Sequence, residues 1–234
     1  MHSAVTSPRS RLAGAEVLPR GFFARPALQV APDLLGCVIT HDTDEGLVAV
    51  VLAEVEAYAG EADPASHAFH GRTARNAVMY GPPGHAYVYF TYGMHFCVNL
   101  VCQPEGEASA VLLRAGRVIT GLSLAAARRP AAGRERDLAR GPARLCQALG
   151  IGRSLDGADV CDAASALRVS PAAPGDKAAG HGVSQGPRVG VSRGADVAWR
   201  FWATGDPTVS PYRPHARRRA AKPVPGARSG RSAS

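Results

Sequence analysis

The middle of the chain carries apolar residues in short runs bounded by turn residues, a pattern that indicates β-strands. Such runs cover residues 47–58, 86–90, 95–102 and 109–115. The second and third runs are separated only by residues 91–94, Thr-Tyr-Gly-Met, whose glycine lies inside the predicted turn. Strands that follow one another as hairpins predict an antiparallel sheet.

Two segments around these strands predict helices. Residues 26–35 form a short candidate helix that Pro32 interrupts and that ends before Gly36. Residues 142–149 form a second one, with a proline in the first turn and a glycine just past the end. Antiparallel strands with a few separate helices predict an α+β fold.

The rest of the body has a weaker pattern. Residues 152–185 are rich in Ala, Gly, Asp and Ser, so we expect a loop with little regular structure there. Residues 189–192 and 199–204 predict two short strands that close the body.

Length and composition suggest one folded domain between two polar ends. The 234 residues suffice for one domain with a buried core. We expect residues 1–20 to be a disordered N-terminal segment, 21–210 the folded domain, and 211–234 a disordered basic tail. No apolar run approaches the roughly 18 residues of a membrane span, and residues 1–14 lack the apolar core of a secretory signal. These features predict an intracellular protein without a membrane partner.

The formal net charge of +8 is concentrated in the two ends of the chain. Residues 211–234 contribute +7 and residues 1–20 contribute +2, whereas the body carries −1. Such ends are consistent with binding to phosphate groups, and equally with a solvated, disordered tail. Charge alone therefore does not establish a nucleic-acid partner.

Several common chemistries have no signature in the chain. The five cysteines include no Cys-x-x-Cys pair, so neither a zinc site nor a disulfide framework is expected. No glycine-rich phosphate-binding motif suggests a nucleotide cofactor. The only lysines, Lys177 and Lys222, lie in the predicted loop and tail, where no pocket would activate them for Schiff-base formation.

A short acidic stretch is the first candidate for chemistry. On a strand the side chains of Glu54, Glu56 and Tyr58 share one face, since successive side chains alternate between faces. Buried carboxylates are costly unless they have partners. The stretch is either an exposed strand face or a functional site.

Further candidates follow along the chain. A polar loop carries His67, Arg72 and Arg75, and the hairpin carries Tyr87, Tyr89 and Tyr92. Tyrosines on one face of a hairpin are commonly a cross-strand ladder, but a tyrosine at a hairpin tip has nothing to cover it. Asn99 and Arg114 interrupt apolar strands, so each needs a partner or a ligand.

Taken in order, these blocks resemble the mammalian-type 3-methyladenine (alkyladenine) DNA glycosylase family. The resemblance spans about residues 22–210 and is most specific over residues 54–99, EVEAYAGEADPASHAFHGRTARNAVMYGPPGHAYVYFTYGMHFCVN. Supporting blocks are AVLLRA at 110–115, GPARLCQALGI at 141–151 and GPRVGV at 186–191. The resemblance implies one compact α+β domain with a curved antiparallel sheet, flanking helices and a protruding β-hairpin that intercalates into DNA.

The resemblance also implies a function. It implies a monofunctional enzyme, without lyase activity, that flips alkylated or deaminated purines out of duplex DNA and hydrolyses the N-glycosidic bond during base excision repair. The implied partner is damaged double-stranded DNA, and the protein would be a monomer that needs no metal and no cofactor. Its location would be the cytoplasm or nucleoid if the source is bacterial.

Individual roles follow from the matching positions. Glu56 would be the catalytic general base, while Tyr58, His67 and Tyr89 would sandwich the flipped base. The remaining implied roles are steric exclusion of guanine by Asn99, contact of Arg114 with the substrate backbone, lining of the substrate site by Tyr87, intercalation by Tyr92 and Met94, and phosphate binding by Arg72 and Arg75.

Some positions depart from the family pattern. Val55 replaces the threonine of the usual Glu-Thr-Glu, and Ala74 stands where proline is common. His70 also stands where an arginine is common, so the departures fall mainly in the loop that carries Arg72 and Arg75.

Two other functions remain open from the residues themselves. Glu54 and Glu56 are spaced about 6.6 Å apart at Cα on a strand, which would also suit a carbohydrate glycosidase with a carboxylate pair. A non-catalytic nucleic-acid-binding module on the same scaffold is the second alternative. The predicted tip tyrosine and the basic ends favour a DNA substrate over a carbohydrate.

Overall fold

An eight-stranded antiparallel sheet organises the residues that the computed structural model describes, which are 16–91, 93–171 and 182–214. The main path of neighbouring strands is β3-β4-β5-β2-β1-β6, and β7 and β8 branch from it through β2. The strands are β1 Val38–Thr43, β2 Gly46–Tyr58, β3 Ala86–Thr91, β4 His95–Val101, β5 Ala110–Thr120, β6 Leu167–Ser170, β7 Val183–Gly186 and β8 Arg200–Ala203.

Four α-helices and four short 3-10 helices accompany the sheet in these residues. The α-helices are α1 Arg20–Phe23, α2 Ala27–Asp33, α3 Leu122–Arg128 and α4 Pro142–Leu149. The 3-10 helices are Gly60–Ala62, Ala77–Tyr80, Glu135–Asp137 and Arg153–Leu155. Buried residues of α2 and α4 join the main hydrophobic core against one face of the sheet. The predicted α+β class, the antiparallel sheet and the flanking helices are confirmed.

The longest strand, β2, bends at a β-bulge that changes which side chains face the core. Val48, Val50 and Leu52 pack in the main core, as their alternation predicts. Leu52 pairs with Gly116, but Glu54 pairs with Ala115, so one residue of β2 has no partner on β5. This extra residue reverses the alternation, and Val55 and Ala57 now enter the core. Glu54 and Glu56 consequently face the opposite side of the sheet.

The sheet also forks at the same place. The first half of β2 pairs with β1, whereas Glu54, Val55 and Glu56 pair with β8 on the same edge. Gly116 permits the close approach of β5 there, because a Cβ on it would lie 2.1 Å from the Val51 carbonyl oxygen. The bulge and the fork together curve the sheet around the two carboxylates.

Some local predictions were wrong. The segment predicted as an irregular loop contains β6 and β7, and Leu167 and Val169 of β6 are core residues. Residues 189–192 form no strand, and Gly190 there has a φ of +72° that a strand does not accommodate. The helix α3 was not predicted, since its sequence LSLAAAR has no strong apolar stripe and buries only Ala125.

The predicted ends of the domain stay predictions, since most of the two terminal segments lies outside the described residues. Where the chain is described, Leu18 is already buried and donates its backbone N–H to the Val169 carbonyl. At the other end, the Arg213 carbonyl accepts a hydrogen bond from the Gly190 N–H.

Candidate active site

A cavity of about 350 Å³ opens on the face of the sheet that carries the two carboxylates. Its lining comes from the end of β2, the loop at 64–67, the hairpin β3–β4, β5, the start of α4 and the loop at 189–192. This size lies at the lower end of the range for small-molecule sites. Among the predicted site residues, the lining includes Tyr58, His67, Tyr87, Tyr89, Asn99 and Arg114.

Aromatic rings form one wall of the cavity. The rings of His67 and Tyr89 meet edge to face with centroids 4.5 Å apart, and Tyr87 stacks on Tyr89 at 5.6 Å. The Tyr87 hydroxyl lies 3.0 Å from Nδ1 of His67. Burial, assisted by the charge of Arg75, holds the pKa of His67 below its usual value, so this ring is neutral at pH 7.

The side chain of Glu56 lies directly behind this cavity and is fully buried. One carboxylate oxygen, Oε2, accepts a hydrogen bond from the Tyr58 hydroxyl at 2.8 Å. The other, Oε1, accepts one from the Val189 backbone N–H at 2.7 Å and lies 3.2 Å from Nη1 of Arg114. All three partners line the cavity, although Glu56 itself does not.

The Tyr58 hydroxyl is a neutral hydrogen-bond donor in this arrangement. Burial and the adjacent Glu56 raise the pKa of Tyr58 well above its usual value. The Tyr58 ring therefore presents a neutral, electron-rich surface at the cavity, and its hydroxyl is an uncharged side-chain contact of Glu56.

The neighbouring carboxylate, Glu54, is enclosed by a buried polar network. It accepts hydrogen bonds from Nε of Arg114 at 2.7 Å and from Nε of Arg200 at 2.8 Å. The backbone N–H and the hydroxyl of Ser210 also donate to it, at 2.6 and 2.8 Å. Burial raises the pKa of Glu54, but the two arginines and the Ser210 N–H outweigh this effect, so its pKa lies below the usual value.

The arginine shared by both carboxylates is Arg114. Its side chain is nearly buried, with an exposed fraction of 6%. Burial lowers the pKa of Arg114, but Glu56 and Glu54 outweigh this and raise it above the ordinary value, so the guanidinium remains charged. It borders the cavity while bound to protein carboxylates, and its contact with a substrate backbone stays a prediction.

A second buried ion pair, absent from the sequence predictions, lies next to Tyr58 and Val189, two of the residues that contact Glu56. Arg188 binds Asp63 with both terminal nitrogens, at 2.5 and 2.9 Å, and the exposed fractions of the two side chains are 0% and 1%. Its guanidinium carbon lies 4.7 Å from the centroid of the Tyr58 ring. Arg188 belongs to the GPRVGV block, so the residue was visible in the sequence, but nothing there indicated its partner.

Of the other predicted residues, Asn99 lies in the cavity wall, whereas Arg72 and Arg75 are not part of the lining. Asn99 is buried and donates from Nδ2 to the Tyr87 carbonyl at 3.3 Å. Arg72 lies over the Tyr80 ring at 5.9 Å, and Nη2 of Arg75 lies 3.4 Å from the Phe90 carbonyl oxygen, so both are outside the cavity lining. Both contacts are with protein groups, so phosphate binding by Arg72 and Arg75 stays a prediction.

The hairpin itself is present, with β3 and β4 in register from Ala86–Leu100 to Thr91–His95. Met94 in its turn has an exposed fraction of 70%. Tyr92 lies outside the described residues, so its predicted intercalation stays untested, as does that of Met94.

Neither a metal-binding cluster nor a membrane-spanning helix occurs in the part of the chain that the structure describes. Within residues 16–91, 93–171 and 182–214, no group of three or more His, Cys, Asp or Glu side chains is placed to hold a metal ion. None of the helices in these ranges is long and apolar enough to cross a membrane.

Comparison with known proteins supports the family that the sequence motifs resemble. The family model for methylpurine-DNA glycosylase matches residues 21–207. A relative from Streptomyces avermitilis is 56% identical over 207 residues, which cover 86% of this chain and 94% of the relative. A relative from Leifsonia xyli is 52% identical over 204 residues, covering 84% and 92% of the two chains. A third, from Burkholderia lata, is 48% identical over 207 residues, covering 87% and 95%.

All three relatives bear the name "Putative 3-methyladenine DNA glycosylase". They are bacterial proteins, so the expected family is supported without its mammalian-type qualification. The match covers nearly all of the described fold, including the aromatic cavity and both buried carboxylates. The chain therefore belongs to the methylpurine-DNA glycosylase family.

Proposed function

We propose that the protein is a monofunctional DNA glycosylase that flips alkylated or deaminated purines out of duplex DNA and hydrolyses the N-glycosidic bond. One observation carries the proposal: the carboxylate of Glu56 lies behind an aromatic cavity, and each of its partners lines that cavity. A carboxylate there can stabilise the oxocarbenium character that develops on the sugar and can orient water.

The aromatic geometry supports a position for the flipped base. The centroids of His67 and Tyr89 are 4.5 Å apart, which leaves no room for a third ring between them. The base would instead stack between this pair on one side and Tyr58 on the other, since all three residues line the cavity. Alkylated purines carry positive charge, and neutral aromatic faces attract cations, so the same slot favours these alkylated bases over normal bases.

Glu56 must meet a water molecule to act as a general base. Of its contacts, the Tyr58 hydroxyl is a neutral side-chain donor, whereas Arg114 carries a charge. When the base stacks, a water molecule could replace the Tyr58 hydroxyl as the partner of Oε2. Oε2 would then orient this water molecule for attack on the sugar carbon. Hydrogen bonds at a catalytic site commonly rearrange on substrate binding, so the contact in the free protein is compatible with this role.

The remaining roles complete the proposal. Asn99 on the cavity wall would crowd the 2-position of guanine, and Arg114 would approach the nucleotide backbone at the same edge. Tyr92 and Met94 would fill the gap left by the flipped base, while Arg72 and Arg75 would bind phosphate. Among the described residues no lysine lines the cavity, and we propose that hydrolysis proceeds without a Schiff base and without strand cleavage.

The carbohydrate glycosidase alternative is weakened by the state of Glu54. A general acid in such an enzyme needs a raised pKa and access to the glycosidic oxygen. Glu54 has a lowered pKa, is fully buried, and accepts four hydrogen bonds from the protein. It is therefore a structural anion rather than the second member of a catalytic pair.

A panel of duplexes tests the proposal. Each would contain one lesion, such as 3-methyladenine, 7-methylguanine, hypoxanthine or ethenoadenine, and an undamaged duplex and an oligosaccharide would serve as controls. We expect release of free base from at least one damaged duplex and no hydrolysis of either control. Binding to the duplexes without release of base from any of them would instead indicate a non-catalytic binding module.

Base flipping has a separate test, the replacement of Tyr92. Tyr92→Ala should slow stable extrusion by about ten- to hundredfold, since base–aromatic stacking contributes roughly 1–3 kcal/mol. The deficit should shrink for a mismatched lesion, which flips easily. A fluorescent base analogue reports flipping directly. Unchanged flipping kinetics in the variant would contradict the proposal that Tyr92 fills the gap left by the flipped base.

The setting of the enzyme follows from the same proposal. The partner would be damaged duplex DNA, bound by a monomer that requires neither metal nor cofactor. A DNA-associated location in the cytoplasm or nucleoid accords with the bacterial relatives.

A further inference from the structure

We infer that Arg188 is a positioning residue for base excision, which holds both oxygens of Glu56 in place through Tyr58 and Val189. The inference rests on the proposed function, because it concerns the same carboxylate. Arg188 does not touch the cavity; it lies behind the residues that do.

The Arg188 side chain is fixed in four directions. Both terminal nitrogens bind Asp63, and they also donate to the carbonyls of Ala57 at 3.1 Å and Gly194 at 3.3 Å. The guanidinium carbon lies 5.0 Å from the Trp199 ring and 4.7 Å from the Tyr58 ring. A planar, forked cation held in this way has little freedom to move.

Both oxygens of Glu56 depend on groups that adjoin this guanidinium. Tyr58, which packs on it, donates its hydroxyl to Oε2 at 2.8 Å. Val189, the next residue in the chain, donates its backbone N–H to Oε1 at 2.7 Å. A shift of Arg188 would therefore disturb both hydrogen bonds together.

The ion pair also connects three segments of the cavity wall. Asp63 accepts the backbone N–H of Ala65 at 3.0 Å and that of Ala59 at 3.3 Å, so it anchors the loop that leads to His67. Arg188 begins the loop at 189–192 and binds the Ala57 carbonyl on β2. The pair thus sets the distance between the Tyr58 side and the His67 side of the slot.

The charge of Arg188 does not oppose a cationic purine, because Asp63 neutralises it at bonding distance. A cation behind the Tyr58 ring without such a partner would repel a positively charged base on the other side. The bidentate carboxylate therefore keeps the stacking surface suitable for alkylated bases.

Two variants test the inference with the full-length chain. Arg188→Lys keeps the charge but loses the fork and the planar stack. The double variant Arg188→Gln with Asp63→Asn removes both charges together, so no buried charge is left unpaired. Arg168→Gln is the matched control, since Arg168 is also buried but lies on β6 and bonds the Ser165 carbonyl, away from the cavity.

The readouts are the thermal midpoint, the affinity for lesion DNA, and single-turnover release of base from methylated duplex DNA. We expect both Arg188 variants to fold and to release base roughly 10- to 100-fold more slowly, because small displacements of catalytic groups cause losses of about this size. Arg188→Lys should retain more activity than the double variant. Arg168→Gln should release base at the wild-type rate.

The same variants in a Glu56→Gln background separate positioning from general structural damage. If Arg188 acts through Glu56, its replacement should cost less than about threefold in that background, because the group it positions is already inactive. An equal loss in both backgrounds, or folded variants with wild-type rates, would overturn the inference. If the wild-type protein releases no base, the proposed function fails and the inference falls with it. If the wild-type protein releases base and the Arg188 variants release it equally fast, the inference fails while the proposed function stands.

Discussion

Glu54 and Glu56 lie two residues apart on the same face of the same strand, yet they have different surroundings. Glu54 accepts hydrogen bonds from two arginines and from Ser210, and its carboxylate is saturated by the protein. Glu56 has one arginine nearby, and its other contacts are a tyrosine hydroxyl and a backbone N–H at the cavity wall. Both side chains are fully buried, so burial alone does not distinguish them.

The difference shows how a protein assigns separate roles to identical residues. The Glu54 network ties β2 to β5, to β8 and to the chain near Ser210, and so holds Arg114 against the sheet. Arg114 then lies 3.2 Å from Glu56 and supplies its counter-charge. Glu54 thus has a structural role, and we propose that Glu56 is the catalytic carboxylate.

The largest expected effect is that of Glu56→Gln on base release. Glutamine keeps the size of the side chain but cannot take a proton from water or offer a full negative charge to the oxocarbenium. Single-turnover base release should fall by at least about 10²-fold, the lower range for loss of a general base. Affinity for lesion DNA, measured by fluorescence anisotropy, should stay the same or increase slightly.

Glu54→Gln should act mainly on stability. Replacing the buried anion leaves Arg114 and Arg200 with an unbalanced charge, which costs about 3–5 kcal/mol of the free energy of unfolding. Base release measured well below the thermal midpoint should fall less than in Glu56→Gln. Comparable losses of activity in the two variants would favour a two-carboxylate mechanism and contradict the division of roles.

A smaller effect concerns the pH dependence of stability. The folded state lowers the pKa of Glu54, so its stabilising contribution is present above the unfolded value of about 4.3 and is lost as the pH falls through the lower folded value. Glu54→Gln should therefore lose less stability between pH 5 and pH 3 than the wild type does. Urea unfolding at a series of pH values measures both slopes, and identical slopes would show that Glu54 is not the group responsible.

Much of the fold could be predicted from residue patterns. The strands β2, β3, β4 and β5 and the helix α4 follow from apolar runs with glycine and proline at their ends. The bulge in β2 could not be predicted, because strict alternation places Glu54 and Glu56 on the face of Val48 and Val50, inside the core. The reversal depends on a pairing mismatch with β5, which is a property of two strands and not of one.

The candidate site was predictable for residues with unusual chemistry in an apolar setting. Tyr58, His67, Tyr87, Tyr89, Asn99 and Arg114 do line one cavity, although their roles toward a substrate remain predictions. The bracing pair of Asp63 and Arg188 was missed because its members are 125 residues apart. Taken separately, an aspartate and an arginine in loops are interpreted as solvated charges. Only the contact between them in the folded protein identifies a buried ion pair.

The proposed activity is tested most directly by incubating the wild-type protein with methylated duplex DNA and then analysing free bases and strand integrity separately. We expect free methylated purine in solution and strands that stay intact until alkali cleaves the abasic sites. No free base above the enzyme-free reaction, or strand breaks that appear without alkali, would contradict the proposed activity.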